Sequence, residues 1–369
     1  MPTLRLLPIG AAFVVAAATA MATGPPRLAA QAVASPCAIA TTERVVAVGD
    51  VHGAYDPFVR ILRTAGLVDR RDRWIGGRAI LIQTGDVFDR GAESRRVVDL
   101  LRRLERDAAR AGGRVIPLLG NHEFMRIVGD WRYVSEGEYR AFRRGDSEEL
   151  RERAHALSAD RAAQRARAED RIFDAGDYRE QFMKEIPLGY LEMRLAFDKE
   201  QDYGDWVRER TAAVKVNGVL FLHGGVSEKV AALGCEGLND AVRADLAAVP
   251  VEPDDLLALL SSTEDGPLWY RGLATEPEET FAPTLETILQ QMQARAIVVG
   301  HTPVTRVTAR VGGRVVLIDT GMLNGEFYPD GLPSALELRG DTLTAIYEDR
   351  REPLTAPALR PLADAGSLP

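Results

Sequence analysis

Residues Gly85–Gly91, which read Gly-Asp-Val-Phe-Asp-Arg-Gly, place three charged side chains on one turn. The apolar run 79–84 before this turn is typical of a buried strand. Asp86 and Asp89 are carboxylates, and the planar guanidinium of Arg90 has paired N–H groups that suit phosphate. The turn therefore offers a metal ligand, an acid that could orient a neighbour, and an anion clamp. A surface ion pair is the alternative role for Arg90.

Four of the five histidines occur in a similar sequence context, an apolar run followed by a turn: each lies beside glycine at the end of an apolar run. Asp50 lies two residues before one of them, so extended backbone directs both side chains to one side, and Asn121 directly precedes another. With Asp86 these donors exceed what one ion needs, and their mixture suits Mn, Fe or Zn better than Ca. The pattern predicts two metal ions. The four histidines are His52, His122, His223 and His301.

Short apolar segments predict the strands that must bring these residues together. The first three alternate with predicted helices over 56–65 and 92–111, which is β-α-β-α-β organisation with a polar residue at the carboxyl end of each strand. One or two closing strands are expected over 335–347. The other strand segments are 45–48, 79–84, 115–119, 213–216, 218–222, 296–299 and 315–318.

The segment 131–210 interrupts this organisation. Residues 147–170 are dense in Arg, Glu and Ala, which predicts solvated helices with charge pairs at four-residue spacing. We interpret 131–210 as a helical insert, or cap, over one edge of the core, where it could shape substrate access. A solvated spacer without a role in binding is the alternative. His155 lies in this segment and has no predicted role.

The two chain ends differ from the rest. Arg5 precedes an apolar stretch from Leu6 to about Ala22, which is typical of a secretory signal peptide within 1–32. An uncleaved N-terminal anchor is the alternative, and only then would a stable membrane association be expected. The Pro-rich segment 351–369 is predicted to be a loose tail. We expect an exported protein, periplasmic or secreted.

Composition narrows the class of protein. The 369 residues are 46% hydrophobic and 27% charged, which is typical of a globular chain. A formal net charge of -8 and the lack of a basic stripe in the sequence argue against nucleic acid as a partner. Cys37 and Cys235 could form a disulfide in an exported protein, although a sequence does not show whether two cysteines meet.

Five motifs in chain order resemble those of the calcineurin-like metallophosphoesterases. The intact Asp-Arg-Gly and Asn-His-Glu forms are similar to the phosphoprotein phosphatase branch, and Gly266–Gly272 and Asp319–Gly321 resemble the Shewanella-like protein phosphatases within it. The resemblance implies an α/β/β/α sandwich of two β-sheets flanked by helices, with a catalytic domain over 43–350. The motifs are Asp50-Val51-His52, Gly85–Gly91, Gly120–Glu123, His223-Gly224 and Gly300-His301.

The resemblance also implies which residues hold the metal ions. Asp319 is expected to support the site or its turn and not to bind metal, and Glu123 is expected to brace its loop. The implied ligands are Asp50 and His52 on the first ion, Asp86 between both ions, and Asn121, His223 and His301 on the second ion.

The remaining implied roles concern the substrate. His122 would not bind metal but would act as a general acid, oriented by Asp89. Arg90 and Arg271 would hold phosphate oxygens, and Tyr270 is a candidate to stack on the substrate. The alternative for the last two residues is a core aromatic followed by a capping arginine.

These roles predict a phosphomonoesterase that works by direct attack of a metal-bridging hydroxide, without a covalent phosphoenzyme. Two ions ~3.5–4 Å apart can clamp the attacking and leaving oxygens of an in-line displacement. The expected substrates are proteins carrying phosphotyrosine or phosphoserine/threonine. The alternatives are a hydrolase of a dinucleoside polyphosphate or another small phosphoester, and an inactive module that binds metal or a phosphorylated ligand.

Overall fold

The computed structural model describes residues 37–249, 252–325 and 327–354. The predicted signal peptide or anchor within 1–32 and the end of the predicted tail, 355–369, lie outside the described residues. Within the described ranges, no helix has both the length and the apolar composition that crossing a membrane requires.

Two six-stranded sheets form the centre of the fold. Their strands are short, as the brief apolar segments of the sequence predict. In chain order they are β1 (Ala38–Ile39), β2 (Val45–Val48), β3 (Ile80–Gln83), β4 (Arg114–Pro117), β5 (Ala213–Val216), β6 (Val219–Leu222), β7 (Ala296–Val299), β8 (Thr308–Arg310), β9 (Val315–Leu317), β10 (Ser334–Arg339), β11 (Thr342–Tyr347) and β12 (Arg351–Pro353).

Both sheets are mixed, and each has a parallel centre. The first sheet has the order β12-β11-β10-β2-β3-β4, in which β2, β3 and β4 are parallel. The second has the order β1-β5-β6-β7-β9-β8, in which β6, β7 and β9 are parallel. Since parallel strands end at the same edge of their sheet, the residues that follow them are brought close together.

The sheets pack face to face because side chains alternate along each strand. Val45 and Ala47 on β2 lie in a buried apolar cluster with Phe221 and Val298 of the second sheet. Their neighbour Val46 faces the opposite way, into a separate cluster with helices. One apolar layer therefore joins the sheets, and further apolar layers join the sheets to helices.

Helices cover both outer faces and complete the α/β/β/α sandwich predicted from the motifs. α1 and α2 bury Phe58 and Leu101 against the first sheet, while α10 and α13 bury Leu238 and Leu285 against the second. In chain order the helices are α1 (Tyr55–Thr64), α2 (Ser94–Arg110), α3 (Asn121–Val128), α4 (Glu136–Phe142), α5 (Ser147–Ala168), α6 (Ala175–Glu185), α7 (Tyr190–Ala196), α8 (Asp202–Arg208), α9 (Glu228–Ala231), α10 (Gly234–Ala248), α11 (Pro253–Leu256), α12 (Gly272–Thr275) and α13 (Glu278–Gln291), with 3-10 turns at Leu260–Ser262 and Val311–Gly313.

The segment 131–210 contains the five helices α4 to α8. Phe197, which follows α7, packs edge-on against Phe88 of the Gly85–Gly91 turn, with the ring centroids 5.1 Å apart. Trp206 of α8 lies in the same buried cluster. The segment is thus anchored in the outer core of the first sheet, and its role in substrate access stays a prediction.

The described secondary structure extends beyond the predicted domain 43–350 at both ends. β1 pairs with β5, and β12, the first three residues of the predicted loose tail 351–369, pairs with β11. Both are edge strands of only two or three residues, which is too short for the apolar pattern that marks a strand in sequence. Next to β1, a disulfide joins Cys37 to Cys235 of α10.

Candidate active site

The turns after the strands hold site residues in left-handed backbone conformations. Non-glycine residues rarely adopt positive φ, and those that do so cluster at functional sites. The strand ends are therefore strained where the chemistry is expected. The residues and their φ angles are His52 (47°), Asp86 (58°), Asp89 (71°), Arg90 (64°) and His301 (63°).

Two glycines allow the turns to approach one another. Gly85 has φ of +94°, and a Cβ at this position would lie 2.5 Å from the backbone nitrogen of Gly120. A Cβ at Gly300 would lie 2.3 Å from Oδ1 of Asp50. Any side chain at either position would therefore displace a neighbouring turn or a candidate ligand.

Glu123 ties two of these turns together from a fully buried position. Its Oε2 accepts hydrogen bonds from the backbone nitrogens of Asp86 and Gly120, both at 2.7 Å. Its Oε1 accepts a third from Val87, also at 2.7 Å. The carboxylate thus braces the loop, as the sequence predicts.

The side chains predicted for the second metal ion converge around His223. Its Nδ1 donates to the carbonyl of Thr84 at 2.9 Å, which leaves Nε2 to bind a proton or, in its place, a metal cation. This Nε2 lies 2.8 Å from Oδ1 of Asn121, 3.1 Å from Nδ1 of His301 and 3.3 Å from Oδ1 of Asp86. Lone pairs of a nitrogen, an amide and a carboxylate thus face one point, which fits a bound metal cation.

The electrostatics of this group also favour a cation. Burial alone would lower the pKa of His223, but the carboxylates of Asp86 and Asp50 outweigh it and raise that pKa to about 9. Burial and the neighbouring His223 lower the pKa of His301 to about 2, so His301 is neutral. Its Nε2 is buried without a hydrogen-bond partner among the described residues.

The side chains predicted for the first metal ion lie on the other side of Asp86. Nδ1 of His52 donates to the carbonyl of Phe88 at 2.8 Å, so the Nε2 lone pair points into the site. That Nε2 lies 3.6 Å from Oδ2 of Asp86 and 3.9 Å from Oδ2 of Asp50. Burial and the neighbouring His122 lower the pKa of His52 to about 3, so Nε2 is unprotonated and accepts a hydrogen bond from Arg90, at the position where it could bind a metal.

His122 differs from the other site histidines in its partner. Its Nδ1 hydrogen-bonds to Oδ2 of Asp89 at 2.6 Å, and its Nε2 lies 3.7 Å from Oδ2 of Asp86. Burial opposes its protonation, but Asp86 and Asp89 outweigh burial and raise the pKa of His122. Distance alone would let His122 join His52 and Asp86 around an ion. What separates His122 from His52 and His223 is the partner of Nδ1, a carboxylate instead of a backbone carbonyl, and this partner fits a proton donor.

Arg90 lies close to two tyrosine rings, those of Tyr133 and Tyr328, which we call the tyrosine pair. The centre of the guanidinium is 5.7 Å from the centroid of the Tyr133 ring and 5.6 Å from that of Tyr328. Nη1 of Arg90 also contacts the hydroxyl of Tyr328 and Nε2 of His52. Tyr133 is 43% exposed, so the pair lies where the site meets solvent.

Three further residues were predicted for the site: Arg271, Tyr270 and Asp319. Nη1 of Arg271 donates to the carbonyl of His301 at 2.8 Å, which places its guanidinium beside the second metal group. Tyr270 packs against the apolar cluster of the second outer face, and its substrate role stays a prediction. Asp319 is buried, and its Oδ1 accepts from the backbone nitrogen of Gly321 at 3.0 Å, as expected for a turn residue.

Four residues near the site were not identified from sequence: Tyr133, Tyr328, Arg126 and Glu138. Arg126 and Glu138 are 1% and 3% exposed and lie beside Asp89. One signal was available for Arg126, because it follows His122 by four residues and so shares a face of α3. The others lie in loops or in the insert, where spacing carries no such information.

Comparison with known proteins agrees with the fold. The model of the calcineurin-like phosphoesterase family matches residues 43–305. Shewanella-like protein phosphatase 1 of Plasmodium berghei is 27% identical over 310 residues, which are 82% of this chain and 74% of that protein. An uncharacterized protein of Schizosaccharomyces pombe is 32% identical over 288 residues, which are 75% of this chain and 73% of that protein.

A solved structure is also similar over most of its length. The cold-active protein-tyrosine phosphatase of a psychrophilic Shewanella species has a TM-score of 0.64 and 29% sequence identity. The match covers 87% of this chain and 83% of that one. Two helix-flanked sheets with His, Asp and Asn donors at their strand ends define a metal-binding phosphoester hydrolase.

The chain belongs to the calcineurin-like phosphoesterase family. It is a phosphatase that binds divalent metal ions. The predicted resemblance to the Shewanella-like protein phosphatases and the predicted sandwich fold are both confirmed.

Proposed function

We propose that this phosphatase acts on proteins and that phosphotyrosine is its preferred phosphorylated side chain. The tyrosine pair carries the proposal, because an aromatic leaving group can pack against these rings while Arg90 close to them holds the phosphate. The names of a related Shewanella-like protein phosphatase and of a similar protein-tyrosine phosphatase structure support it.

We also propose that the enzyme uses two divalent ions, chosen from Mn, Fe and Zn. Two sets of donors on opposite sides of Asp86 support this number: Nε2 of His52 lies near carboxylate oxygens of Asp50 and Asp86, and Nε2 of His223 lies near Asn121, His301 and Asp86. When bound, the ions would lower the pKa of water and polarise the phosphoryl group. The proposed ligands are Asp50, His52 and Asp86 for the first ion, and Asp86, Asn121, His223 and His301 for the second.

The protein's own side chains would then position the substrate and supply a proton. Arg90 and Arg271 lie on different sides of the metal groups, where each can bind phosphoryl oxygens and offset developing negative charge. His122, protonated and held by Asp89, can donate its Nε2 proton to the departing tyrosine oxygen.

A substrate panel tests this proposal. Metal-loaded protein is assayed on one peptide sequence carrying phosphotyrosine, phosphoserine or phosphothreonine, and on diadenosine tetraphosphate, with Asp86→Asn as the blank. We expect the highest kcat/KM for phosphotyrosine, and Tyr133→Ala should lower that value more than the value for phosphoserine. Preference for phosphoserine or phosphothreonine would contradict the role of the tyrosine pair. Preference for the dinucleotide would contradict action on proteins.

We further propose that the enzyme works outside the cytoplasm, in the periplasm or after secretion. The disulfide between Cys37 and Cys235 supports this location, because such bonds persist in oxidising compartments. Expression of the full chain in a bacterium with a periplasm should yield processed protein that lacks the first 20 or 32 residues. Full-length protein with reduced cysteines in the cytoplasm would contradict the proposal.

A further inference from the structure

The turn that carries Asp89 and Arg90 is held by a short stretch of the insert, residues 133–138. The backbone nitrogen of Arg90 donates to the carbonyl of Tyr133 at 2.8 Å. The hydroxyl of Ser135 donates to the carbonyl of Gly91 at 2.9 Å, and the backbone nitrogen of Asp89 donates to Oε1 of Glu138 at 3.3 Å. Three consecutive residues of a strained turn are thus each fixed by the insert.

A buried arginine continues this connection to the side chain of Asp89. Nη2 of Arg126 lies 2.6 Å from Oδ1 of Asp89 and also forms an ion pair with Oε2 of Glu138. The other oxygen of Asp89, Oδ2, is the one that holds Nδ1 of His122 at 2.6 Å. One carboxylate oxygen is therefore hydrogen-bonded to the histidine, and the other is in ion-pair contact with the arginine.

The surroundings of Arg126 exclude water and limit its movement. Its guanidinium lies 5.4 Å from the centroids of both the Phe88 and Trp131 rings and 5.6 Å from that of Phe197. Nη1 of Arg126 donates to the sulfur of Met193 at 3.1 Å. In such a dry site an ion pair holds its geometry, and loss of one partner leaves the other charge unpaired.

We infer that Arg126 and Glu138 are positioning residues, which fix the carboxylate of Asp89 and through it the imidazole that delivers the proton. The insert is then part of the catalytic apparatus, because it supplies Glu138 and surrounds Arg126. The inference rests on the proposed role of His122 as general acid. Neither residue touches the substrate, so both act only through Asp89.

Two substrates that differ in leaving group separate positioning from general stability. Phenyl phosphate releases a phenol of pKa about 10 and needs a proton donor, whereas 2,4-dinitrophenyl phosphate releases a stable anion and does not. We expect Glu138→Gln and Arg126→Met to lower kcat for phenyl phosphate by about 10–100-fold, part of the 10²–10⁴-fold that a general acid supplies. The KM values, the metal content and kcat for the dinitrophenyl ester should change little.

Three further variants keep this experiment decisive. Arg126→Met combined with Glu138→Leu removes both charges of the pair, so it should fold even if a single substitution does not. Arg126→Lys, which keeps the charge, should recover part of kcat. Glu192→Gln is the matched control: Glu192 is a buried carboxylate of the insert that bonds to Ser147 and not to Asp89, so neither substrate should be affected.

His122→Asn serves as the reference for the whole series. If it shows the leaving-group effect and folded Arg126 and Glu138 variants do not, the inference is wrong while the acid role stands. Equal losses for both substrates in those variants would also overturn it, since they indicate a purely structural role. If His122→Asn shows no leaving-group effect, the acid role fails, and the inference fails with it.

Discussion

The hydrogen bond at Nδ1 distinguishes His122 from His52 and His223. His52 and His223 donate from Nδ1 to backbone carbonyls, which leaves Nε2 to bind a metal. His122 instead pairs Nδ1 with the carboxylate of Asp89, which favours the charged imidazole. The partner at Nδ1 therefore separates His122 from the two proposed metal ligands.

This difference gives a prediction for His122→Asn. Loss of the proton donor should lower kcat on a phosphotyrosine peptide by about 10²–10⁴-fold. Metal binding should persist, because the proposed ligands are untouched, and the increase in Tm on adding Mn²⁺ should match that of the wild type. Kinetics and thermal melts with and without Mn²⁺ check both parts. Loss of the Mn²⁺ effect would instead make His122 a ligand.

Residue types and spacing sufficed to find the side chains that converge on Asp86. They could do so because each follows a strand end, where position in the chain fixes position in space. Tyr328 was not found because it lies in a loop between β9 and β10, where spacing from the Asp319–Gly321 motif does not fix its position. Glu138 was not found because a glutamate in a charged helical segment looks like a solvated residue, whereas here it is 3% exposed.

At the scale of elements, the turns after the strands determine the geometry of the site more than the strands do. The parallel strands deliver the chain to one edge, but left-handed residues and glycines turn the side chains toward one another. These conformations are costly and persist because buried groups such as Glu123 hold the turns together.

Gly85→Ala should test the close approach of two turns. Its Cβ would lie 2.5 Å from the backbone of Gly120, whereas Gly77, also at positive φ (+58°), has open space around it. Gly77→Ala therefore controls for backbone conformation alone. We expect Gly85→Ala to lower the free energy of unfolding by about 1–3 kcal/mol more than Gly77→Ala, and to weaken metal binding. Equal effects in denaturant titrations would show that the contact is unimportant.

Element types were predictable where hydrophobic periodicity was strong. Helices expected over 56–65 and 92–111 are observed as Tyr55–Thr64 and Ser94–Arg110. β12 was missed because a three-residue edge strand carries no periodic signal, and its partner is known only once the sheet has formed. The way the insert packs was not predictable either, since its contacts with the first sheet join residues distant in sequence.

At the scale of the molecule, a disulfide fastens the first described strand to α10. Cys37 and Cys235 are separated by 198 residues, so the bond greatly restricts the unfolded chain. Replacement of both cysteines by alanine should lower the free energy of unfolding by about 2–5 kcal/mol with little effect on kcat, because neither cysteine lies in the site. Denaturant unfolding of the variant and of the oxidised wild type checks this. Unchanged stability would mean that the bond contributes little.

The site itself spans both sheets. Asp50, Asp86 and Asn121 follow strands of the first sheet, whereas His223 and His301 follow strands of the second. Ions bound to both sets would couple the two halves of the sandwich, and metal binding should then stabilise the folded state as a whole. Asp86 is the residue common to both ligand groups, so it should matter to both ions.

The claim that Asp86 joins two metal ions in one active site is tested most directly by the metal content per chain, measured by elemental analysis together with phosphatase activity. We predict about two divalent ions per wild-type chain, as two-metal phosphoesterase chemistry requires. Asp86→Asn should lose at least one ion and nearly all activity, whereas Asp56→Asn, on an exposed position of α1, should lose neither. A wild-type enzyme that is fully active with one ion, or an Asp86→Asn variant that keeps both ions and its turnover, would contradict the account.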